Sequence, residues 1–192
     1  MESKSKNVFE IIQDEVLFLL STHNYYSALL VTLSLPAICA SIDSGVGETR
    51  GRDGELYGKW LDEFTIYKKG SGKKGLVNFT NDTVYQIRCK LMHNGRMLKK
   101  GVDTEDFDIE FIAPSNVRIT SKGGGGVVMV INERKILRLN IDEFILNIFK
   151  GVGQWIENVK DSEGFNNYVK DAAKFGVEDF GPGFKTNIPS IH

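Results

Sequence analysis

Residues 25–44, YYSALLVTLSLPAICASIDS, decide the fold. Between Ala28 and Leu35 this segment is apolar on every side of a helix, which predicts a helix enclosed by other helices. Pro36 is expected to kink the helix or to split it into two pieces. The most apolar part, residues 28–42, contains three hydroxyl side chains and a proline and is shorter than the roughly 18 to 20 apolar residues that a membrane span needs. We therefore predict a core helix and no membrane association.

Helical periodicity recurs on both sides of this central helix. Residues 140–159 show the clearest amphipathic pattern in the chain, and the spacing of Asn140 and Glu143 matches a capping box. Asn81 is predicted to be the N-cap of another helix, which ends at Asn94-Gly95. The predicted helices outside the central one cover residues 8–20, 55–67, 81–94, 140–159 and 162–175.

The periodicity changes from helical to alternating after Gly95. Apolar and acidic residues alternate over 106–111, which predicts a half-buried strand. Two further apolar runs, 127–131 and 136–139, flank four polar residues and predict a hairpin, with residues 117–120 as a possible fourth strand. We expect a small antiparallel sheet.

One domain accounts for these elements. It covers residues 1–176, with the β-sheet inserted at about 103–140, and residues 177–192 form a C-terminal tail that is expected to be partly disordered. The fold class is mainly α, an α+β domain dominated by helices.

Composition and charge narrow the function. The 192 residues include 24 Lys and Arg against 25 Asp and Glu, and this net charge of −1 argues against a general polyanion binder. No targeting segment precedes residue 20, and the two cysteines, Cys39 and Cys89, do not form a disulfide scaffold. We expect a cytoplasmic protein.

No metal or cofactor is predicted. The Gly123–Gly126 run lacks the Lys-Ser/Thr ending of a phosphate-binding loop and is expected to be a flexible hairpin loop. Cys89 and His93 have metal-ligand spacing on one helix, but they supply only two ligands where zinc needs three or four.

Arg88 and His93 carry the chemical signal of the chain. On a helical projection Arg88 falls inside an apolar arc, where a guanidinium is costly unless an anion meets it. The residues of this arc are Val84, Tyr85, Ile87, Leu91 and Met92. His93 lies on the rim of that arc, about 140° away. Together they could bind phosphate and move protons without a metal. The alternative is structural: Arg88 pairs with an acid such as Asp14, Asp43 or Asp62, and His93 caps the helix.

Residues 85–95, YQIRCKLMHNG, resemble the Arg-x(4–6)-His signature of the HEPN superfamily, and residues 56–61, LYGKWL, resemble the preceding helix of uncharacterised bacterial members. The resemblance is strongest over residues 56–95. It implies a helical bundle in which the Arg and His of two protomers meet at a dimer interface and the RNA 2′-hydroxyl attacks the adjacent phosphate. By this likeness His93 is the acid and base, and Arg88 binds the phosphate. Cys89 departs from catalytic members, which commonly have Asn, Asp or His after the Arg.

Charge distribution adds to this interpretation. Residues 45–100 hold 12 Lys and Arg against 6 Asp and Glu, a net charge of +6, so the rest of the chain carries −7. Such a basic region would bind a phosphate backbone. The predicted contacts are Arg50, Arg52, Lys90, Arg96 and Lys99.

The sequence therefore predicts an RNA-binding protein or a metal-independent endoribonuclease of the toxin or phage-defence type. We expect a homodimer, with RNA and an antitoxin or another protein as possible partners. Two alternatives stay open: a catalytically inactive interaction module with structural Arg88 and His93, and a nucleotide-binding protein.

Overall fold

The computed structural model describes residues 7–45, 51–67, 80–94, 107–113, 126–131 and 133–171. Within these ranges the chain forms six α-helices and three β-strands, so the prediction of a mainly α fold with a small inserted sheet is confirmed. The elements are α1 (Val8–Ser21), α2 (Tyr25–Asp43), α3 (Asp53–Phe64), α4 (Asn81–Asn94), β1 (Phe107–Ile112), β2 (Gly126–Ile131), β3 (Arg134–Asn140), α5 (Ile141–Val159) and α6 (Glu163–Asp171).

Helix α2 is the core of the bundle, as its all-round apolar sequence predicts. It packs against α1, α3, α4, α5 and α6, and Leu29, Leu33 and Leu35 are almost completely buried. The helix has the length and hydropathy of a membrane span, but the core helix of a soluble protein can have both as well. The predicted split at Pro36 is wrong, because one helix runs through this residue. A proline removes a single backbone hydrogen bond, and burial on five sides maintains the remaining ones.

The sheet has the strand order β1-β3-β2 and is mixed. Strands β2 and β3 form the predicted antiparallel hairpin, but β1 pairs with β3 in parallel, from Phe107 opposite Lys135 to Ile112 opposite Asn140. The prediction of an antiparallel sheet is therefore wrong for β1. Alternating polarity shows which face of a strand is buried, and it carries no information on strand direction. The possible strand at 117–120 lies outside the described residues.

The connection between β2 and β3 is shorter than predicted. Strand β3 already begins at Arg134, so only residues 132 and 133 separate the two strands. Glu133 adopts a φ of 64°, the left-handed conformation that tight hairpin turns require. Residues 132–135 are all polar, so polarity alone does not show that the last two of them belong to β3.

Helix caps lie partly where the sequence does not place them. The capping box of the structure is at α1. The Asn7 side-chain oxygen accepts from the backbone N–H of Glu10 at 3.0 Å, and the backbone N–H of Asn7 donates to the Glu10 carboxylate at 2.8 Å. Asn140 does precede α5, but its side chain makes no capping bond, so the capping box predicted there is wrong. Asn140 is buried and is also the last residue of β3, so it is part of the sheet as well as the residue before α5.

Aromatic side chains of α1, α5 and α6 pack against one another. Phe9 of α1 packs edge-on against Trp155 of α5, with ring centroids 5.4 Å apart, and stacks on Phe165 of α6 at 6.0 Å. Trp155 also donates its indole N–H to Asp43 of α2 at 2.8 Å. These contacts hold α6 on the bundle up to Asp171; the predicted continuation of this helix to residue 175 and the C-terminal tail lie outside the described residues.

Candidate functional site

Helix α4, which carries the Arg-x4-His pattern, is fixed to α3 by a buried amide. The side-chain nitrogen of Asn81 donates to the Gly58 carbonyl at 3.2 Å and to Asp62 at 2.9 Å, and Asn81 is only 3% exposed. The predicted N-cap is thus the first residue of the helix and a bridge to α3. The backbone carbonyl of Thr80 accepts the bond from Val84 that opens the helix.

Arg88 lies half-buried on α4, in the apolar surroundings that the helical projection predicts. Val84, Ile87 and Leu91 are buried beside it, whereas Met92, predicted in the same arc, is 51% exposed. The Nε atom of Arg88 is buried and has no hydrogen-bond partner. The Nη1 atom lies 3.9 Å from the sulfur of Cys89, a weak contact. The guanidinium therefore has unused donor capacity inside the protein.

Two tyrosines complete the surroundings of this guanidinium. The rings of Tyr57 and Tyr85 lie 5.2 Å apart across the α3–α4 contact. Tyr57 is 1% exposed and donates its hydroxyl to the Leu33 carbonyl at 3.0 Å. Burial raises the pKa of both phenols, and the positive charge of Arg88 opposes this shift. We call Tyr57, Tyr85, Arg88 and Cys89 the Arg88 cluster.

The ion pair expected under the structural alternative is not found. Asp43 accepts from Trp155 at 2.8 Å, and Asp62 accepts from Asn81 at 2.9 Å. Among the residues that the structure describes, Arg88 forms no salt bridge with any carboxylate, Asp14 included. A charged side chain that is half-buried and lacks a counterion is a typical ligand-binding group.

His93 lies apart from the Arg88 cluster. It is exposed in the last turn of α4, five residues after Arg88. Helix geometry separates two such positions by about 140° around the axis and about 7.5 Å along it. No hydrogen bond connects the two side chains in the described part of the chain. One copy of the protein therefore presents Arg88 and His93 on different faces of the same helix.

The structure describes two of the five predicted RNA contacts, Arg52 and Lys90. Arg52 binds Glu55 through two hydrogen bonds of 2.8 and 3.1 Å, and this pair lowers the pKa of the Glu55 carboxyl. The Glu55 carboxylate thus neutralises the charge of Arg52 locally, which makes Arg52 a weaker candidate for a phosphate contact. Lys90 is half-buried on α4 and makes an interaction of its own. Arg50, Arg96 and Lys99 lie outside the described residues.

Neither cysteine forms a disulfide, and the described residues hold no group of metal ligands. Cys39 and Cys89 are both unbridged, the first buried inside α2 and the second half-buried beside Arg88. Within the described ranges no three histidine, cysteine or acidic side chains group together as metal ligands would. Of the Gly123–Gly126 run, the structure describes Gly126, which opens β2.

Sequence reasoning placed Tyr85 in the apolar arc around Arg88, because the two residues share a face of α4. It missed Tyr57 as a member of the cluster. Tyr57 belongs to the apolar stripe of α3, where nothing local indicates that its ring meets α4.

The fold and the cluster define a helical α+β domain with an unpaired, half-buried arginine. Comparison of the chain with protein family models, with curated proteins and with solved structures gave no match. The likeness to the HEPN signature therefore rests on the residues of α3 and α4 themselves.

Proposed function

We propose that this chain is a cytoplasmic HEPN-like protein that binds RNA and cleaves it without a metal ion, in the manner of toxins and phage-defence effectors. The observation that supports this best is the state of Arg88. Its guanidinium is half-buried, its Nε atom has no partner, and no carboxylate neutralises it among the described residues. A phosphate diester would supply the missing anion.

The roles of the two residues follow from their chemistry. His93 is exposed, so a nucleic acid can reach its imidazole, which takes and returns protons near neutral pH. It would remove the proton of the RNA 2′-hydroxyl as this oxygen attacks the adjacent phosphorus, and a proton would then pass to the leaving 5′-oxygen. Arg88 would stabilise the additional negative charge on the phosphate oxygens.

Two copies of the chain are needed for this chemistry. Arg88 and His93 point about 140° apart on α4, which keeps them from converging on one phosphate within a single copy. In a symmetric dimer with paired α4 helices, Arg88 of one copy would face His93 of the other. We therefore propose a homodimer with two composite sites.

Ribonuclease activity in excess EDTA tests the proposal. The wild-type protein is expected to cleave single-stranded RNA, and His93→Ala to lose at least about 100-fold in rate, the usual contribution of a general acid or base. His93 is exposed, so the thermal midpoint should stay nearly unchanged. Lys150→Ala, which removes an exposed charge on α5, is the matched control and should keep full activity.

A second candidate is a catalytically inactive interaction module, for which an antitoxin or another protein would be the partner. The apolar surroundings of the half-buried Arg88 favour it, because the aliphatic stem of an arginine stabilises a fold by packing, without any ligand. Under this alternative Arg88→Ala lowers the free energy of unfolding through the lost packing of this stem, and no RNA binds.

Nucleotide binding without cleavage is the remaining alternative, and it also rests on the unpaired Arg88. It is recognised by a rise in thermal midpoint when a mononucleotide is added, because a ligand that binds only the folded state stabilises it. Absence of this rise, together with RNA cleavage, excludes it.

A further inference from the structure

Tyr26 presents an exposed aromatic ring next to the last turn of α4. Its side chain is 45% exposed although it stands on the central helix of the bundle. The hydroxyl donates to the backbone carbonyl of Leu91 at 3.2 Å. This bond crosses from the first turn of α2 to the C-terminal part of α4, so it fixes the ring in one position.

The neighbouring residues of α4 are accessible as well. Met92 is 51% exposed and His93 is exposed, directly after the residue whose carbonyl holds Tyr26. On the other side, the turn before α2 places the imidazole of His23 on the ring of Tyr25, with centroids 5.7 Å apart and planes within 16°. Aromatic and apolar side chains therefore gather at the end of the bundle where His93 lies.

An exposed ring held by its own hydroxyl has no role in the hydrophobic core. Proteins that bind single-stranded nucleic acids use such rings as platforms on which an unpaired base stacks, while cationic groups hold the backbone. Stacking needs an accessible ring and is helped by restrained motion; Tyr26 is 45% exposed, and its hydroxyl bond to Leu91 restrains the ring. A base-paired duplex cannot use the platform, because its bases are already stacked on one another.

We propose that Tyr26 binds an unpaired base of single-stranded RNA next to the phosphate that His93 acts on. This inference rests on the proposed function, and it adds a preference for single-stranded over duplex RNA. The ring contacts a base and leaves the reacting atoms to Arg88 and His93.

Equilibrium binding of a fluorescein-labelled 2′-O-methyl RNA oligonucleotide, which resists attack by its own 2′-oxygen, tests the inference. Fluorescence anisotropy is measured with the single strand and with its duplex for the full chain in EDTA. Tyr26→Ala is expected to weaken single-strand binding by about 5- to 150-fold, the range for one lost base stack, and to leave duplex binding unchanged. Tyr26→Phe retains the ring but loses the bond to Leu91, so it is expected to bind single strands more tightly than Tyr26→Ala and less tightly than the wild type, which keeps the test valid if Tyr26→Ala unfolds.

Leu146→Ala is the matched control, since Leu146 is a 50% exposed apolar residue on α5. Equal single-strand affinity of wild type and Tyr26→Ala would overturn the inference, as would an equal loss for single strand and duplex. If Arg88→Ala weakens binding and Tyr26→Ala does not, the inference fails alone. If the wild type binds no RNA, the proposed function fails with it. Analytical ultracentrifugation tests whether Tyr26 is instead a contact between two copies of the chain. A dimer that is present in the wild type and lost in Tyr26→Ala would show such a contact and overturn the proposal.

Discussion

The side-chain nitrogen of Asn81 donates to Oδ2 of Asp62 at 2.9 Å and so ties the first residue of α4 to the last turn of α3. The same nitrogen reaches the Gly58 carbonyl, and the amide is almost fully buried. This contact sets the position of the helix that carries both Arg88 and His93. Disturbing it should change stability and any activity together.

Asn81→Ala is expected to lower the free energy of unfolding by about 1–3 kcal/mol, because it leaves the Gly58 carbonyl and Asp62 without this donor in a buried place. Asn81→Asp should cost more, since it places a second carboxyl beside Asp62. Urea denaturation measures both changes. The control is Asn158→Ala, which removes an exposed amide from α5 and should leave stability the same or slightly higher. Equal stability of Asn81→Ala and the wild type would contradict the assigned bridge.

Two glycines of α5 predict opposite responses to the same change. A Cβ atom at Gly151 would lie 2.8 Å from the Phe64 carbonyl oxygen and 3.2 Å from the Trp60 ring, whereas Gly153 has nothing within 4 Å. Gly151→Ala should destabilise the protein by about 1–3 kcal/mol through forced separation of α3 and α5. Gly153→Ala should stabilise it by about 0.5–1 kcal/mol, the helix-propensity difference. Thermal unfolding of the two variants decides, and a stabilised Gly151→Ala would show that α5 does not approach α3 so closely.

Asp43 gives the fold a defined pH dependence. Burial raises the pKa of its carboxyl, against the opposing effect of the Trp155 hydrogen bond. The folded state therefore binds this proton more tightly than the unfolded state, and the contribution of Asp43 to stability falls as the pH rises from its unfolded pKa to its raised folded pKa. Asn at this position can still accept the indole N–H and carries no charge.

Asp43→Asn should accordingly be more stable than the wild type at pH 7, and this advantage should shrink as the pH falls through the raised folded pKa and be lost below the unfolded pKa of about 3.9. Urea denaturation at pH 7 and at about pH 3.5 measures the difference. An advantage that is the same at both pH values, or a loss at pH 7, would refute the assignment of burial as the dominant effect on Asp43.

The fold was predictable where the pattern was periodic and long. The apolar residues of α5 and the all-round apolar sequence of α2 report burial directly, so both helices lie where periodicity places them. Strand direction and capping were not predictable in the same way. The parallel pairing of β1 with β3 depends on a chain path that alternation does not encode. Asn140 and Asn7 both have a glutamate three residues on, so the spacing does not distinguish Asn7, where the capping box forms, from Asn140, which ends β3 and makes no cap bond.

The candidate site was predictable along α4 and not in the residues that other helices contribute. The helical projection places Arg88 among apolar neighbours, and the structure finds it half-buried. Tyr57 on α3 and Tyr26 on α2 contact α4 from other helices, through the Tyr85 ring and the Leu91 carbonyl. Spacing within α4 therefore does not predict these contacts. The ion pair with Asp43 or Asp62 was plausible from charge alone, but each of these carboxylates has an uncharged partner instead.

Subunit mixing tests whether the proposed site is shared between two copies. Arg88→Ala and His93→Ala should each be inactive, because every composite site then lacks one of its two groups. A mixture in equal amounts, allowed to exchange subunits, should regain about a quarter of the wild-type rate, because half of the dimers are mixed and each restores one of two sites. RNA cleavage in EDTA is the measurement. Activity that stays absent after exchange has been verified would rule out a site built from two copies.

The identity of the cleavage products tests the central claim most directly. A labelled RNA with one deoxynucleotide at the main cleavage position is compared with its all-ribose parent, in EDTA, for the wild type and His93→Ala. We expect the wild type to cut the parent, to leave a 2′,3′-cyclic phosphate end and to spare the deoxy position, while His93→Ala leaves the parent intact. An uncut parent, or cleavage that survives either the deoxy substitution or the loss of His93, would contradict the proposed chemistry.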